Sequence, residues 1–321
     1  MSASAAPPRH SCSIYGVRVT SDMPFDFPGE AGADQRSLAE VELVEGDARD
    51  FAPFDRDGAD DCVRLPSGAT YLRWPHLYEF SVSADGARVA CRPLDGCDRS
   101  VLQNFLFGQI LGVALVLQGF EPLHAAVVSL DGCAVAFLGD CTFGKSTLLA
   151  SLVHAGWRAV TDDLLLLDRR SAEILALPGT GRIKLQPDAA RRFFGGVDAG
   201  LPLNPMTAKR AFPLDPSRRE AARLPLRALM ILPEPDERDR ARDIEIAPAS
   251  RVELVHELLK NTFTVDILDR ARLVRQLESA AVVASTVPGF RLRYPTGLQH
   301  LDDVRDAIVD HVRRAQGGRA A

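Results

Sequence analysis

Lysine is scarce in this chain. Of 38 lysines and arginines, only four are lysines: Lys145, Lys184, Lys209 and Lys260. Arginine is the default cation, so each lysine draws attention to its position. The six cysteines, Cys12, Cys62, Cys91, Cys97, Cys133 and Cys141, form no Cys-x-x-Cys pair and no zinc-finger spacing. The opening MSASAAPPRHSCS has no apolar h-region, so the expected setting is cytoplasmic, with reduced thiols. No Asn-Lys-x-Asp tetrapeptide and no Leu-Ser-Gly-Gly-Gln signature occurs, which weighs against a GTPase and an ABC-type ATPase. A net charge of -5 argues against nucleic-acid binding by bulk electrostatics. No internal repeat is visible.

What is present is an ordinary globular composition, 46% hydrophobic and 25% charged. A length of 321 residues suggests two domains. Residues 101–120 carry no charge and are long enough to cross a bilayer. They also hold Gln103, Asn104, Gln109, Gln118 and three glycines. Leu102, Phe105, Leu106, Ile110, Val113 and Val116 recur at helical spacing, so a buried core helix is expected here and no membrane span.

Residues 1–97 read as β-rich, with strands expected over 13–20, 38–44, 70–73, 78–82 and 87–93 and an Asp- and Pro-rich loop over 45–61. The helix over 98–120 is expected to connect this region to residues 121–315. There, residues 123–130 and 133–138 read as apolar strands joined by Asp131-Gly132, a strong hairpin signal. A glycine-bounded loop, a helix over 145–155 and a strand from Ala159 follow. This is the αβ order of a nucleotide-binding core. Further strands are expected over 226–232, 244–246 and 290–294. Helices are expected from the Ser250-Arg251-Val252-Glu253 capping box to Lys260, then over 266–284 and 298–314. Residues 316–321 read as a flexible tail. The expected fold is thus α/β, with a P-loop core and a mixed sheet behind a smaller β-rich region.

The strongest chemical signal is Gly139-Asp140-Cys141-Thr142-Phe143-Gly144-Lys145-Ser146, which matches G-x-x-x-x-G-K-[ST] in full. From this chain's own residue frequencies, a chance match is roughly two in a thousand. The glycines let the backbone turn so that successive N–H groups face phosphate oxygens. The helix that follows adds its positive end. Lys145 would reach the β- and γ-phosphates, and Ser146 would offer an oxygen to Mg²⁺. The nucleotide-binding set runs from Gly139 to Thr147. Cys141 is read as a small filler, with an oxidisable thiol as the sharper alternative.

Asp162-Asp163 follows the next strand. A P-loop enzyme needs a carboxylate beside the phosphates to hold Mg²⁺ or orient the nucleophile. Leu123-His124-Ala125-Ala126-Val127, the P-loop, and Gly156-Trp157-Arg158-Ala159-Val160-Thr161-Asp162-Asp163 together resemble HPr kinase/phosphorylase. That family shows a His-bearing strand, a P-loop and a G-h-x-x-x-x-DD element in this order. The resemblance is strong over residues 121–170 and weaker beyond. It implies ATP-dependent transfer of a phosphoryl group to a serine hydroxyl, with Asp162 as catalytic base, Asp163 near the metal and His124 close to the transferred phosphate. A positioned carboxylate suits the chemistry, because a serine hydroxyl is a poor nucleophile at neutral pH.

The chain departs from that pattern after the aspartates. Where the family carries an acidic residue, this chain reads Pro178-Gly179-Thr180-Gly181-Arg182-Ile183-Lys184-Leu185. Arg182, Lys184 and Lys209 are instead candidate contacts to phosphate or acceptor, or plain surface charges. The opening Tyr15-Gly16-Val17-Arg18-Val19-Thr20-Ser21-Asp22, with GRIKLQPDAA and TAKRAFPL later on, looks like the HPr-kinase-like enzymes of lasso-peptide and related peptide-tailoring clusters. That likeness implies a precursor peptide with an acceptor Ser as partner. Three alternatives stay open: a regulatory kinase/phosphorylase of an HPr-type carrier, a nucleotide-binding switch or sensor, and a small-molecule kinase. No nucleic acid or membrane is expected as a partner. Homo-oligomers are implied by the family, without an interface signal in the sequence.

Overall fold

The structure is a computed structural model. It describes residues 10–24, 37–51, 62–94, 97, 99–204, 206–264 and 269–317. These form two compact units that divide between Phe120 and Glu121.

The first unit is a seven-stranded sheet with strands β1 (His10–Ile14), β2 (Val17–Ser21), β3 (Ala39–Glu45), β4 (Cys62–Arg64), β5 (Thr70–Trp74), β6 (Tyr78–Val82) and β7 (Arg88–Pro93). The order is β1-β2-β3-β7-β6-β5-β4. The pairs β2–β3 and β3–β7 are parallel. The single strand expected over 13–20 is instead a hairpin. Tyr15 and Gly16 turn the chain with φ of 55° and 69°, the geometry of a two-residue primed turn. Tyrosine is an unusual residue for positive φ, so Gly16 is the turn's one composition signal. The loop expected over 45–61 contains a short helix, α1 (Ala48–Phe51), and residues 52–61 lie outside the described residues.

The uncharged segment is helical to Leu117, and its apolar side chains through Val116 are buried. It comprises α2 (Arg99–Phe105), a π-helical turn over Leu106–Ile110 and α3 (Leu111–Leu117). Trp74 of β5 packs on Phe105, with ring centroids 4.9 Å apart. Gly86, at the β6–β7 turn, lies so close to α3 that a Cβ there would meet the Ala114 carbonyl at 2.2 Å. Among the described residues, no helix is long and apolar enough to cross a membrane.

The second unit carries the phosphate loop. Strands β8 (Ala126–Leu130) and β9 (Cys133–Leu138) form the expected hairpin, with Asp131 and Gly132 at φ of 47° and 80°. Helix α4 (Lys145–His154) and strand β10 (Arg158–Thr161) follow. Next come β11 (Leu167–Asp168), β12 (Leu175–Ala176), β13 (Arg182–Leu185), α5 (Pro187–Phe194), β14 (Leu201–Pro202) and β15 (Arg210–Pro213). The chain then runs through β16 (Leu224–Ile231), α6 (Pro235–Arg240), β17 (Glu245–Pro248), α7 (Arg251–Lys260), α8 (Arg270–Thr286), β18 (Gly289–Arg293) and α9 (Leu301–Gly317).

An eight-stranded mixed sheet runs β10-β8-β9-β16-β12-β11, with β18 pairing β16 and β17. Strand β16 lies parallel to both β9 and β18. Alternate residues of the central strands feed two cores. Val128, Val135, Phe137 and Met230 pack with α4, α5 and α9. Val127, Ala134, Ala136 and Leu229 pack with α7 and α8. Burial on both faces explains why these strands read as continuous apolar runs. A separate three-stranded sheet, β13-β15-β14, was not legible in the sequence because its strands are two to four residues long. Helix α8 begins at Arg270, capped by Asp269. Residue 266, the expected start, lies outside the described residues, as do residues 318–321 of the tail.

Candidate functional site

Strand β9 ends at Leu138, and the loop that follows turns back through residues of positive φ. Gly139, Thr142 and Gly144 sit at 146°, 78° and 92°. Gly144 caps α4, so Lys145 opens the helix with its amides pointed toward the loop. Lys145 is buried, and its ammonium donates to the Gly139 carbonyl and, at 3.0 Å, to that of Asp140. Burial lowers the Lys145 pKa, and Asp162 opposes that shift.

Asp162 and Asp163 follow β10 directly. Asp163 adopts φ of 86°, a strained choice for a residue other than glycine. The two carboxylates have different partners. Asp162, only 4% exposed, accepts from Ser146 Oγ at 2.8 Å and from the Lys184 backbone N–H at 2.8 Å. Asp163 pairs with the Lys184 ammonium and lies 3.5 Å from His124 Nδ1.

The electrostatics follow from this. Burial, together with the neighbouring Asp163 charge, pushes the Asp162 carboxyl up to about 6, against the pull of the Lys184 N–H and Ser146. Burial acts upward on Asp163 as well, but Lys184, His124 and Lys209 outweigh it and hold that carboxyl at about 2. Burial pushes His124 below its usual range; Asp163 opposes this and Lys145 adds to it. Two adjacent carboxylates therefore differ: one stays ionised, the other titrates near neutrality.

These groups surround a cavity of about 200 Å³. His124, Asp140, Cys141, Thr142, Gly144, Lys145, Ser146, Thr147, Asp162, Asp163, Lys184 and Lys209 all line it. Three expected residues stand apart. Gly139 contributes through its carbonyl bond to Lys145. Phe143 turns away, with the Lys260 ammonium 5.6 Å from its ring centroid. Arg182 lies two positions before Lys184 on β13 and is not part of the lining. His124 precedes β8 instead of sitting within a strand.

Two contributors carried no sequence signal. Gln186, at the N-cap of α5, lines the cavity. Asn261, just after α7 and 2% exposed, accepts from the Gly139 N–H at 3.1 Å and donates to the Glu257 carbonyl at 2.8 Å. Its own carbonyl accepts from the His124 N–H at 2.6 Å. One buried residue thus ties the start of the phosphate loop to His124, through its side-chain amide on one side and its backbone carbonyl on the other. Asn261 lies 122 positions from Gly139, so only the tertiary structure reveals the contact.

The site fits Mg²⁺ held mainly by phosphate and water. Ser146 Oγ and the Asp162 carboxylate are hard oxygen donors side by side at the cavity wall, and Mg²⁺ takes one or two protein oxygens in such sites. Among the described residues, no cluster of three or more His, Cys, Asp or Glu could hold a metal by itself. Asp163, expected near the metal, is engaged by Lys184 and His124.

No protein-family model matches the chain, and no curated protein is significantly similar to it. Among solved structures, the Hpr(Ser) kinase/phosphatase from Coxiella burnetii is similar over 62% of this chain and 99% of that one, at 14% identity and a TM-score of 0.33. At that level the likeness assigns no role to any residue.

Proposed function

We propose that this chain is an ATP-dependent phosphotransferase that moves a γ-phosphoryl group to a serine hydroxyl of a peptide or protein. The observation that carries the reading is Asp162: buried, bonded to Ser146 of the phosphate loop, and raised to about 6. A general base works best when its pKa lies near the operating pH. Asp163, held at about 2, has no such capacity and serves as a fixed negative charge.

The loop amides and the Lys145 ammonium receive the phosphates, with Lys145 exchanging its carbonyl partners for phosphate oxygens. Ser146 keeps its proton and donates a hydrogen bond to Asp162, which leaves its oxygen lone pairs free to hold Mg²⁺; when bound, the ion would neutralise charge on the phosphates. Asp162 takes the proton of the acceptor hydroxyl as that oxygen bonds to the γ-phosphorus. The bond from the γ-phosphorus to the bridging oxygen breaks, and ADP leaves with the bond's electron pair. Lys184 and Lys209 stand in the same cavity to balance charge on the transferred group.

The acceptor class follows the resemblance of the opening and later segments to peptide-tailoring kinases, so a ribosomal precursor peptide with an acceptor Ser is the proposed substrate. The test is transfer from ATP radiolabelled at the γ-phosphate to precursor peptides, an HPr-like carrier protein and free serine. Labelling of a peptide that requires both its Ser and Asp162 supports the proposal. Labelling of the carrier alone makes this a regulatory kinase. Nucleotide binding with no labelled acceptor indicates a switch or sensor.

A further inference from the structure

A second and larger cavity lies against the outer side of the phosphate loop. It measures about 420 Å³ and is walled by Phe143 of the loop, Ile231 and Leu232 at the end of β16, and Val252 at the start of α7. Lys260 lines it too, and that side chain also reaches Asp140 of the loop, with Nζ 3.1 Å from Oδ2. The two cavities therefore share one wall, the segment from Asp140 to Phe143 with its Lys260 clasp. None of Asp162, Asp163 or Lys184 borders the second cavity.

Its chemistry differs from that of the first. Glu234, Glu237, Glu253 and Glu257 stand around it against two cations, Lys260 and Arg291. Arg291 is engaged by Glu253 at 2.7 Å. An excess of carboxylate repels phosphate and accepts N–H and O–H donors. The apolar part, Phe143 with Ile231 and Leu232, suits a flat ring. The volume falls within the range of sites for ligands of this size, roughly 300–1,000 Å³. Open α/β sheets bind ligands beyond the carboxyl ends of their strands, and both cavities lie there, at β9 and β16.

We infer that this cavity holds the base and ribose of the nucleotide whose phosphates occupy the adjoining loop. The inference rests on the phosphotransferase reading of that loop. Charge sorts the two ends of the ligand: loop amides and Lys145 take the phosphates, while the carboxylate rim accepts the base amino group and the ribose hydroxyls. A basic segment of a peptide acceptor is the rival occupant. It is disfavoured because Phe143, Ile231 and Leu232 offer the cavity floor an apolar surface suited to a flat ring, not to a charged side chain.

The experiment compares ATP, GTP and inorganic tripolyphosphate, each with Mg²⁺, by titration calorimetry on the full chain and on Val252→Trp. Val252 is 80% exposed, so the indole overhangs the cavity without disturbing the core. A loss of about tenfold or more in ATP or GTP affinity, with tripolyphosphate affinity unchanged, supports the inference. The order of ATP and GTP in the unmodified chain then identifies the base. Photolabelling of the unmodified chain with 8-azido-ATP supplies an independent readout, with adducts expected in 231–237 or 252–260. Unchanged nucleotide affinity in the variant, with adducts elsewhere, overturns the inference and leaves the phosphate site standing. Failure of the unmodified chain to bind even tripolyphosphate overturns the phosphate-loop reading itself. Binding of an arginine-rich peptide that Val252→Trp abolishes, with nucleotide affinity intact, assigns the cavity to the acceptor.

Discussion

Replacing Asp162 by asparagine is expected to abolish phosphoryl transfer and, in the same protein, to stabilise the second unit at neutral pH. The folded chain raises this carboxyl from 3.8 to about 6, so it binds a proton more tightly than the unfolded chain does. The group thus favours folding in full below its unfolded pKa, and that contribution is lost as pH rises through about 6. At about 1.4 kcal/mol per pKa unit, the ionised form is disfavoured by on the order of 3 kcal/mol. Asparagine removes the charge and keeps both partners. Its Oδ1 accepts from the Lys184 N–H, and its Nδ2 donates to Ser146 Oγ. Urea unfolding is best followed in a Trp74→Phe background, where Trp157, packed against the second unit's core, is the remaining reporter. The variant should exceed its parent by up to ~3 kcal/mol near pH 8 and by little near pH 4. Equal stabilities at both pH values, or a less stable variant near pH 8, would refute the burial argument. Transfer that survives the substitution would refute Asp162 as the base.

Other consequences can be measured directly. The value of kcat/KM for transfer, which reports the free protein, should rise with pH through about 6 and then level off, because Asp162 acts as the carboxylate; a kcat/KM profile flat between pH values of about 5 and 8 excludes it as the base. Lys145→Ala should lose binding of both ATP and tripolyphosphate, since its ammonium is the phosphate loop's only lysine, and calorimetry reads this. Asn261→Ala leaves the Gly139 amide without its acceptor and should lower stability by about 1–3 kcal/mol; Asn261→Asp keeps that acceptor and should recover part of the loss. Lys184→Met removes the strongest counterweight to burial at Asp163, so a carboxyl NMR titration should show that pKa move well above about 2.

How much of this could be read in the sequence depends on how local each signal is. The Asp131-Gly132 hairpin, the Ser250 capping box and the phosphate loop are local, and the structure has all three. The α5 helix was also legible in principle, with Pro187 at its first position and Gly195 ending it in a left-handed conformation. Its eight residues are too few to show a clear period. The Tyr15-Gly16 turn had only half of a turn signature. The β13-β15-β14 sheet and Asn261 had none, because their partners are brought together by the fold. The same limit applies to the aspartate pair. Adjacent acids were visible, but which of them meets Ser146 and which meets Lys184 depends on β13, a strand that the sequence did not disclose.

The position of Lys184 decides how the two aspartates divide their roles. Burial drives both carboxyls up, their mutual repulsion adds to it, and a nearby cation selects which one is held low. Lys184 presents its ammonium to Asp163 and only its backbone N–H to Asp162. A full charge at contact distance outweighs a single amide hydrogen bond, so Asp163 is held low and Asp162 rises. The left-handed backbone at Asp163 makes this possible, because it aims successive side chains at different partners. An acidic residue at position 184 would remove that selection and add a third negative charge. The basic segment after the aspartates is therefore part of the same device as the titrating carboxylate: Lys184 holds Asp163 low, and Asp162 is the carboxyl that rises.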